Sequence, residues 1–183
     1  MDSKLYFDFM SQPSRACLLF CRVNGLPVKE FPTPIHKGAT RTPEFRELNP
    51  LGKVPLLEAG NLRLPESGAI LTYLAHAFLG QKEGDSGLPW PVVSAIHWHH
   101  STIRAGSAQL VFNLGAIPLG QQVDEAAAKK ALAVLKQSLG TLQDFWLRDG
   151  PFIAGEAKPS IADMQAACEL EQLMLLNKVS LSN

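Results

Sequence analysis

The apolar periodicity of this 183-residue chain changes character partway along it, and that change limits the fold more than any single residue does. Up to position 80, strand-like stretches alternate with helix-period stretches; beyond position 91 only the helical period recurs. Residues 4–7 make a short strand that runs into the turn-forming run Ser11-Gln12-Pro13-Ser14. Ala16, Leu19, Phe20 and Val23 then follow i, i+3, i+4, i+7 spacing, with Pro13 at the entry and Gly25 at the exit, which predicts an amphipathic helix. Residues 28–31 read as a second strand, 32–42 as a loop, and 44–48 as a short helix. Residues 53–57 and 61–64, joined by Glu58-Ala59-Gly60, read as a hairpin. Pro55 has no ladder donor, so it belongs at an edge, at a bulge or in a cis bond. Residues 67–78 return to helical spacing through Ile70, Leu71, Leu74 and Phe78.

The order is βαβ, short helix, ββα, which implies a mixed sheet covered by helices: an α/β domain over residues 1–80. Residues 81–91, rich in Gly, Pro and charge, have the composition of an exposed linker. Residues 92–183 form an all-α domain, with helix-period stretches at 90–114, 124–147 and 160–176. Asp124 is placed to cap the middle one, and Ser160-Ile161-Ala162-Asp163 resembles a capping box with Asp in place of the usual Glu.

Composition excludes several classes of function. Lys plus Arg equals Asp plus Glu at 17 each, so no net charge draws the molecule to nucleic acid or an anionic membrane. A small neutral or zwitterionic ligand fits better. Asp2, Lys4 and Asp8 interrupt the opening residues where a signal peptide would be apolar, and no apolar run reaches the roughly 18 residues of a spanning helix. The expectation is a soluble, cytoplasmic protein. Cys17, Cys21 and Cys168 include no CxxC pair, and no His lies at metal-ligand spacing, so no metal is expected. Cys17 and Cys21 would share a helix face, as small buried side chains rather than a redox couple.

Four motifs occur in order: Ser11-Gln12-Pro13-Ser14-Arg15, Asn49-Pro50-Leu51-Gly52-Lys53-Val54-Pro55, Glu66-Ser67 with Ala69-Ile70, and Ser160-Ile161-Ala162-Asp163. Together they resemble the signatures of the glutathione transferases. The serine at the strand-to-helix turn resembles the theta class, and Trp98-His99-His100 is similar to its plant members. The resemblance implies a thioredoxin-like N-terminal domain that binds glutathione, with an electrophile held between it and the helical domain. It further implies a homodimer and no cofactor beyond glutathione as substrate. In the family the helical domain continues for several more helices, so the part ending at Asn183 is expected to be shortened relative to it.

The residue roles follow from the same resemblance. Ser11 would hold the glutathione sulfur as a thiolate, since a free thiol with a pKa near 8.5 is mostly protonated at neutral pH. Taken alone, Ser11 and Ser14 read as helix caps. Gln12 would contact the tripeptide beside Ser11. Val54, before Pro55, would pair its backbone with the cysteinyl segment, and Lys53 would meet the glycine carboxylate. Without the motif, Lys53 reads as a solvated charge. Glu66 and Ser67 would receive the γ-glutamyl end at a helix N-terminus, where an acid is also ordinary dipole matching. Thr40 and Arg41 fall where relatives contact the glycyl end. His100 and Arg104 would border the electrophile pocket; a structural histidine and a solvated arginine are the alternatives.

The implied activity is conjugation of glutathione to small electrophiles, reduction of organic hydroperoxides, or both. The rival reading is a non-catalytic glutathione-binding or protein-interaction module on the same fold. A glutaredoxin-like oxidoreductase would need a cysteine where Ser11 stands.

Overall fold

The computed structural model of the chain describes residues 2–80, 88–115 and 123–174. It divides into two compact units, Met1–Leu88 and Pro89–Asn183. The first unit runs β1 (Ser3–Phe7), α1 (Gln12–Val23), β2 (Val28–Pro32), α2 (Pro43–Leu48), β3 (Leu56–Ala59), β4 (Leu62–Pro65) and α3 (Ser67–Leu74). Two short 3-10 turns, Ile35–Lys37 and Ala39–Arg41, lead from β2 to α2.

The four strands lie in the order β2-β1-β3-β4. β1 and β2 are parallel, as a helical crossover through α1 requires, and the other two pairings are antiparallel. Register follows burial. Along β1, Ser3, Leu5 and Phe7 point into the core while Lys4 and Tyr6 face the other way. The inward face meets α1 through Ala16, Cys17 and Phe20, and α3 through Ile70, Leu71 and Leu74, all buried. On the opposite face Lys4 pairs with Glu58 directly across the strand at 3.1 Å, and the Tyr6 hydroxyl donates to the same carboxylate at 3.2 Å. The Tyr6 ring also lies 6.0 Å from that of Phe45, the buried residue of α2.

The hairpin strand predicted from Lys53 starts three residues later, at Leu56. Pro55 has no N–H to give to a ladder, and the Val54–Pro55 peptide is cis. The helix read over 67–78 is regular to Leu74 and then widens into a π turn, Ala75–Gly80. Cys17 and Cys21 are buried, and neither is in a disulfide among the described residues; burial pushes the Cys21 thiol up to about 12, which leaves it protonated and unreactive.

The second unit contains α4 (Trp90–Ser101), α5 (Ile103–Gly115), α6 (Glu125–Thr141) and α7 (Ile161–Met174). The single helix read over 90–114 is thus two helices that meet at Thr102, whose φ and ψ are −125° and −81°. The cause is local. The Thr102 hydroxyl donates to the Trp98 carbonyl at 2.5 Å and the Ser101 hydroxyl to the same oxygen at 3.2 Å, diverting an acceptor the helix would otherwise use. Gly106 lets α5 and α6 approach closely, since a Cβ there would lie 2.8 Å from the backbone nitrogen of Leu135. The last part of the stretch read over 160–176 lies outside the described residues, as do residues 81–87 of the expected linker.

The cap at α7 is reciprocal, although Ser160 takes the second helical N–H rather than the third of a standard capping box. Ser160 accepts from the Ala162 N–H at 3.2 Å, and Asp163 Oδ2 accepts from both the N–H and the hydroxyl of Ser160, at 2.8 and 2.7 Å. Asp163 Oδ1 reaches outside the helix to the N–H of Ile153 at 2.8 Å, anchoring the preceding turn. Asp163→Ala should therefore cost more than an ordinary cap, about 2–3 kcal/mol, because two partly buried backbone donors lose their acceptor together. Urea unfolding monitored by circular dichroism will measure it, with Asp163→Asn expected to fall between the variant and the parent.

Candidate active site

Strand direction and register bring one end of the sheet into register with the predicted residues. Tyr6 lies opposite Leu56, Phe7 beside Pro32, and Leu56 opposite Pro65. The chain leaving β1, the chain leaving β2, the chain entering β3 and the chain leaving β4 consequently emerge at the same edge. These four connections carry Ser11 and Gln12, Thr40 and Arg41, Lys53 to Pro55, and Glu66 with Ser67.

Ser11 is the N-cap of α1, in extended conformation with φ −89° and ψ 111°. Its oxygen accepts the Ser14 N–H at 3.4 Å, and its hydroxyl donates to the Val54 carbonyl at 3.4 Å. Capping uses a lone pair and donation uses the proton, so the two roles weighed for this serine are compatible. Both bonds are long, and the residue is half-buried, so the proton can turn to a better acceptor at small cost. The adjacent helix N-terminus adds positive potential at the same place. Ser14, the other cap candidate, does not cap: its hydroxyl is buried and has no hydrogen-bond partner among the described residues. Gln12 is buried at the first position of α1.

The loop before β3 is shaped by a residue to which the sequence reading assigned no role. Asn49 is only 2% exposed, and it donates through Nδ2 to the Lys53 carbonyl at 2.8 Å while accepting the Leu51 N–H through Oδ1 at 3.1 Å. It thereby holds the backbone that presents Val54 toward Ser11. An Asn followed by Pro and, two further on, Gly is the usual signal of such an Asx turn. Lys53 itself is exposed, Val54 half-buried and Pro55 buried.

Glu66 has φ 71° and ψ 117°, a region L residues rarely adopt, which costs of order 1–3 kcal/mol. The strained residue immediately precedes α3, whose first residue, Ser67, is buried and tied to α1 by the Cys17 thiol at 3.8 Å from its carbonyl. Thr40 is buried and Arg41 exposed on the turn Ala39–Arg41.

The two remaining candidates, His100 and Arg104, belong to the second unit and lie on different helices, α4 and α5. His100 is exposed. Arg104 is not a solvated charge: its Nη1 donates at 2.9 Å to Oε2 of Glu169, a carboxylate with no exposed surface on α7. Ser107 donates to the other carboxylate oxygen. His99, also buried, lies with Nε2 3.7 Å from Glu169, beyond hydrogen-bonding distance. Burial first, then the charges of Arg104 and His100, hold His99 down at about 4, so it is neutral beside the Arg104–Glu169 pair. Among the described residues no group of His, Cys, Asp or Glu side chains could hold a metal ion, and no helix is long and apolar enough to cross a membrane.

Residues 1–76 match the family model described as glutathione S-transferase, N-terminal domain. The chain is similar to glutathione S-transferase T1 of Arabidopsis thaliana, at 42% identity over 97% of this chain and 75% of that protein. It is 41% identical to glutathione S-transferase T2 of the same plant over 97% of its own length but only 31% of that longer protein. Among solved structures it resembles a human theta-class glutathione transferase in complex with the glutathione conjugate of 1-menaphthyl sulfate. That match has a TM-score of 0.85 and 34% identity, and covers 96% of this chain and 73% of the other.

Two stability effects follow from this buried cluster. Arg104→Met strips Glu169 of its cationic partner and should cost about 3–5 kcal/mol in denaturant unfolding. His99 binds its proton at about 4 when folded against an ordinary value of 6.5, so between those pH values the unfolded state takes up the extra proton. Stability should therefore fall as pH drops from 6.5 towards 4, and the parent's slope in that window should exceed that of His99→Gln in parallel unfolding titrations.

Proposed function

This chain belongs to the glutathione S-transferase family, in its theta class, and on that premise we propose that the sheet edge of its first unit binds glutathione and activates the thiol through Ser11. One observation carries the reading: the Ser11 hydroxyl caps the helix through a lone pair and so keeps its proton, loosely held at 3.4 Å to the Val54 carbonyl. A sulfur anion placed between Ser11 and Val54 offers that proton a charged acceptor in place of a distant neutral one, and such bonds are about twice as strong. The hydrogen bond and the α1 N-terminus both favour the thiolate, which lowers the thiol pKa towards neutral pH.

The rest of the tripeptide is assigned along the same edge. The Val54 backbone pairs with the cysteinyl residue as an added strand would, held in position by Asn49. Glu66 and Ser67 take the γ-glutamyl amino and carboxylate groups at the start of α3. Lys53, Thr40 and Arg41 serve the glycyl end, and the buried Gln12, next to Ser11, the cysteinyl end. Glutathione is the substrate; the chemistry calls on no metal or organic cofactor.

The thiolate then attacks an electrophilic carbon, forming a carbon–sulfur bond as the leaving group departs with the electron pair. With an organic hydroperoxide it attacks oxygen instead. The O–O bond breaks, the alcohol leaves, and a second glutathione displaces water from the sulfenic acid to give the disulfide. Both reactions draw on the same activated sulfur, and the reading extends to a homodimer as the functional assembly. A non-catalytic module would keep the docking edge without the activation.

Ser11→Ala should lower kcat by at least about tenfold, up to the roughly 100-fold or more that a single oxyanion-type donor supplies, while leaving the KM for glutathione nearly unchanged. Retention of the variant on immobilised glutathione checks docking, and conjugation and hydroperoxide assays check turnover. Unchanged turnover would remove Ser11 from the chemistry; a parent that is retained but inert in both assays would favour the binding module.

A further inference from the structure

Asp8 has no part in the roles assigned above, yet its carboxylate sits where two of the site's loops meet. It follows β1 directly and is only 9% exposed. Oδ1 accepts the Met10 N–H at 2.8 Å, Oδ2 accepts the Ile35 N–H at 2.6 Å, and the Asp8 carbonyl accepts the Ser11 N–H at 3.0 Å. The first of these is an Asx turn, local to the strand end. The second spans 27 residues to the start of the turn Ile35–Lys37, which leads into Ala39–Arg41. One side chain thus joins the loop that carries Ser11 to the loop that carries Thr40 and Arg41.

The contrast in bond lengths is informative. The Ser11 hydroxyl is held loosely at 3.4 Å on both sides, whereas the backbone around it is held at 2.6–3.0 Å by Asp8 and at 2.7 Å by Arg15, whose Nη1 donates to the Phe9 carbonyl. A mobile proton on a rigid backbone is the arrangement a hydrogen-bond donor to sulfur needs: the proton must turn while the oxygen stays in place. Only a carboxylate suits the position. Both facing groups are N–H donors, and an amide in its place would offer one oxygen and set its own NH2 against the second donor.

We propose that Asp8 is a positioning residue for thiol activation, holding the Ser11 oxygen at its working distance through the Met10 and Ile35 N–H groups; this rests on the reading of Ser11 given above. A displacement of about 1 Å at a reacting group can cost 100-fold in rate, so a small relaxation of the turn is enough to be measured.

The test compares the parent with Ser11→Ala, Asp8→Asn, Ile35→Pro and the Asp8→Asn/Ser11→Ala pair, using steady-state kinetics and the ultraviolet titration of thiolate in the glutathione complex. Asp8→Asn should lower kcat about tenfold and move the bound thiol's ionisation to higher pH, with KM changed by about twofold or less. Because Asp8 acts through Ser11, the double variant should be no slower than Ser11→Ala alone. Ile35→Pro deletes one of the two donors and should shift kcat and ionisation in the same direction by less. Pro34 is already extended, at φ −66° and ψ 108°, and a proline is tolerated at the first position of a helical turn, so this variant decides the matter if Asp8→Asn fails to fold.

If Ser11→Ala changes neither kcat nor the ionisation, the reading of Ser11 fails and the role of Asp8 fails with it. If Ser11→Ala lowers kcat while the folded Asp8 and Ile35 variants keep the parent's thiol ionisation, the Asp8 proposal alone is overturned. A double variant well below Ser11→Ala overturns it too, since Asp8 would then act by another route.

Discussion

The antiparallel pairing of β1 with β3 is the contact on which the rest of the site depends. With Leu5 opposite Leu57 and Tyr6 opposite Leu56, the chain leaves β1 beside the place where it enters β3, and Ser11 comes to face Val54 across 43 positions of sequence. A slip of one residue would turn Leu5 and Phe7 to the outer face, and Lys4 would lose Glu58, so the register is held by burial on one side and by charge on the other. The same register, passed on to β4, brings Glu66 and Ser67 to the same edge.

On that foundation the two units handle buried polarity differently. In the first, polar groups at this end of the sheet are satisfied by backbone: Asp8 and Ser11 each bond to an N–H or carbonyl of a neighbouring loop, and Asn49 to its own loop. They shape loops, and the shape is what a peptide ligand would read. In the second, Glu169 is wholly buried and satisfied by side chains from another helix, Arg104 and Ser107. A buried ion pair adds little over an apolar pair of the same size but penalises the loss of either partner heavily, which makes it a device for a specific helix packing. Asp163 does similar work at the start of the same helix, joining its capping box to Ile153.

Under the proposed role of Ser11, thiol activation asks for a donor that is fixed in place and free in direction. The half-buried Ser11 has weak hydroxyl bonds on a firmly tethered backbone, the geometry that proposal calls for. The positive φ of Glu66 is a separate matter: strain of about 1–3 kcal/mol is tolerated where the fold around it is well packed, here by the buried Ile70, Leu71 and Leu74 of α3.

Much of this was legible in the residues themselves. Alternation and helical spacing located the elements of the first unit, because a half-buried strand and an amphipathic helix must show those periods, and Ser160 with Asp163 announced a cap, because capping is a local bond. The site motifs could be recognised for the same reason: each is a short run whose turn chemistry is local. What adjacent residues could not reveal is anything that depends on a partner distant in sequence. The break at Thr102 was missed for another reason: it is local, but it is a competition between side-chain and backbone donors for one carbonyl that no apolar period records. The pairing of Arg104 with Glu169, the reach of Asp8 to Ile35, and the approach of Ser11 to Val54 arise only when strands and helices have packed. Local chemistry settled the kind and order of most elements; tertiary structure decided which polar groups meet, because hydrogen bonds between distant segments exist only at the distances that packing sets.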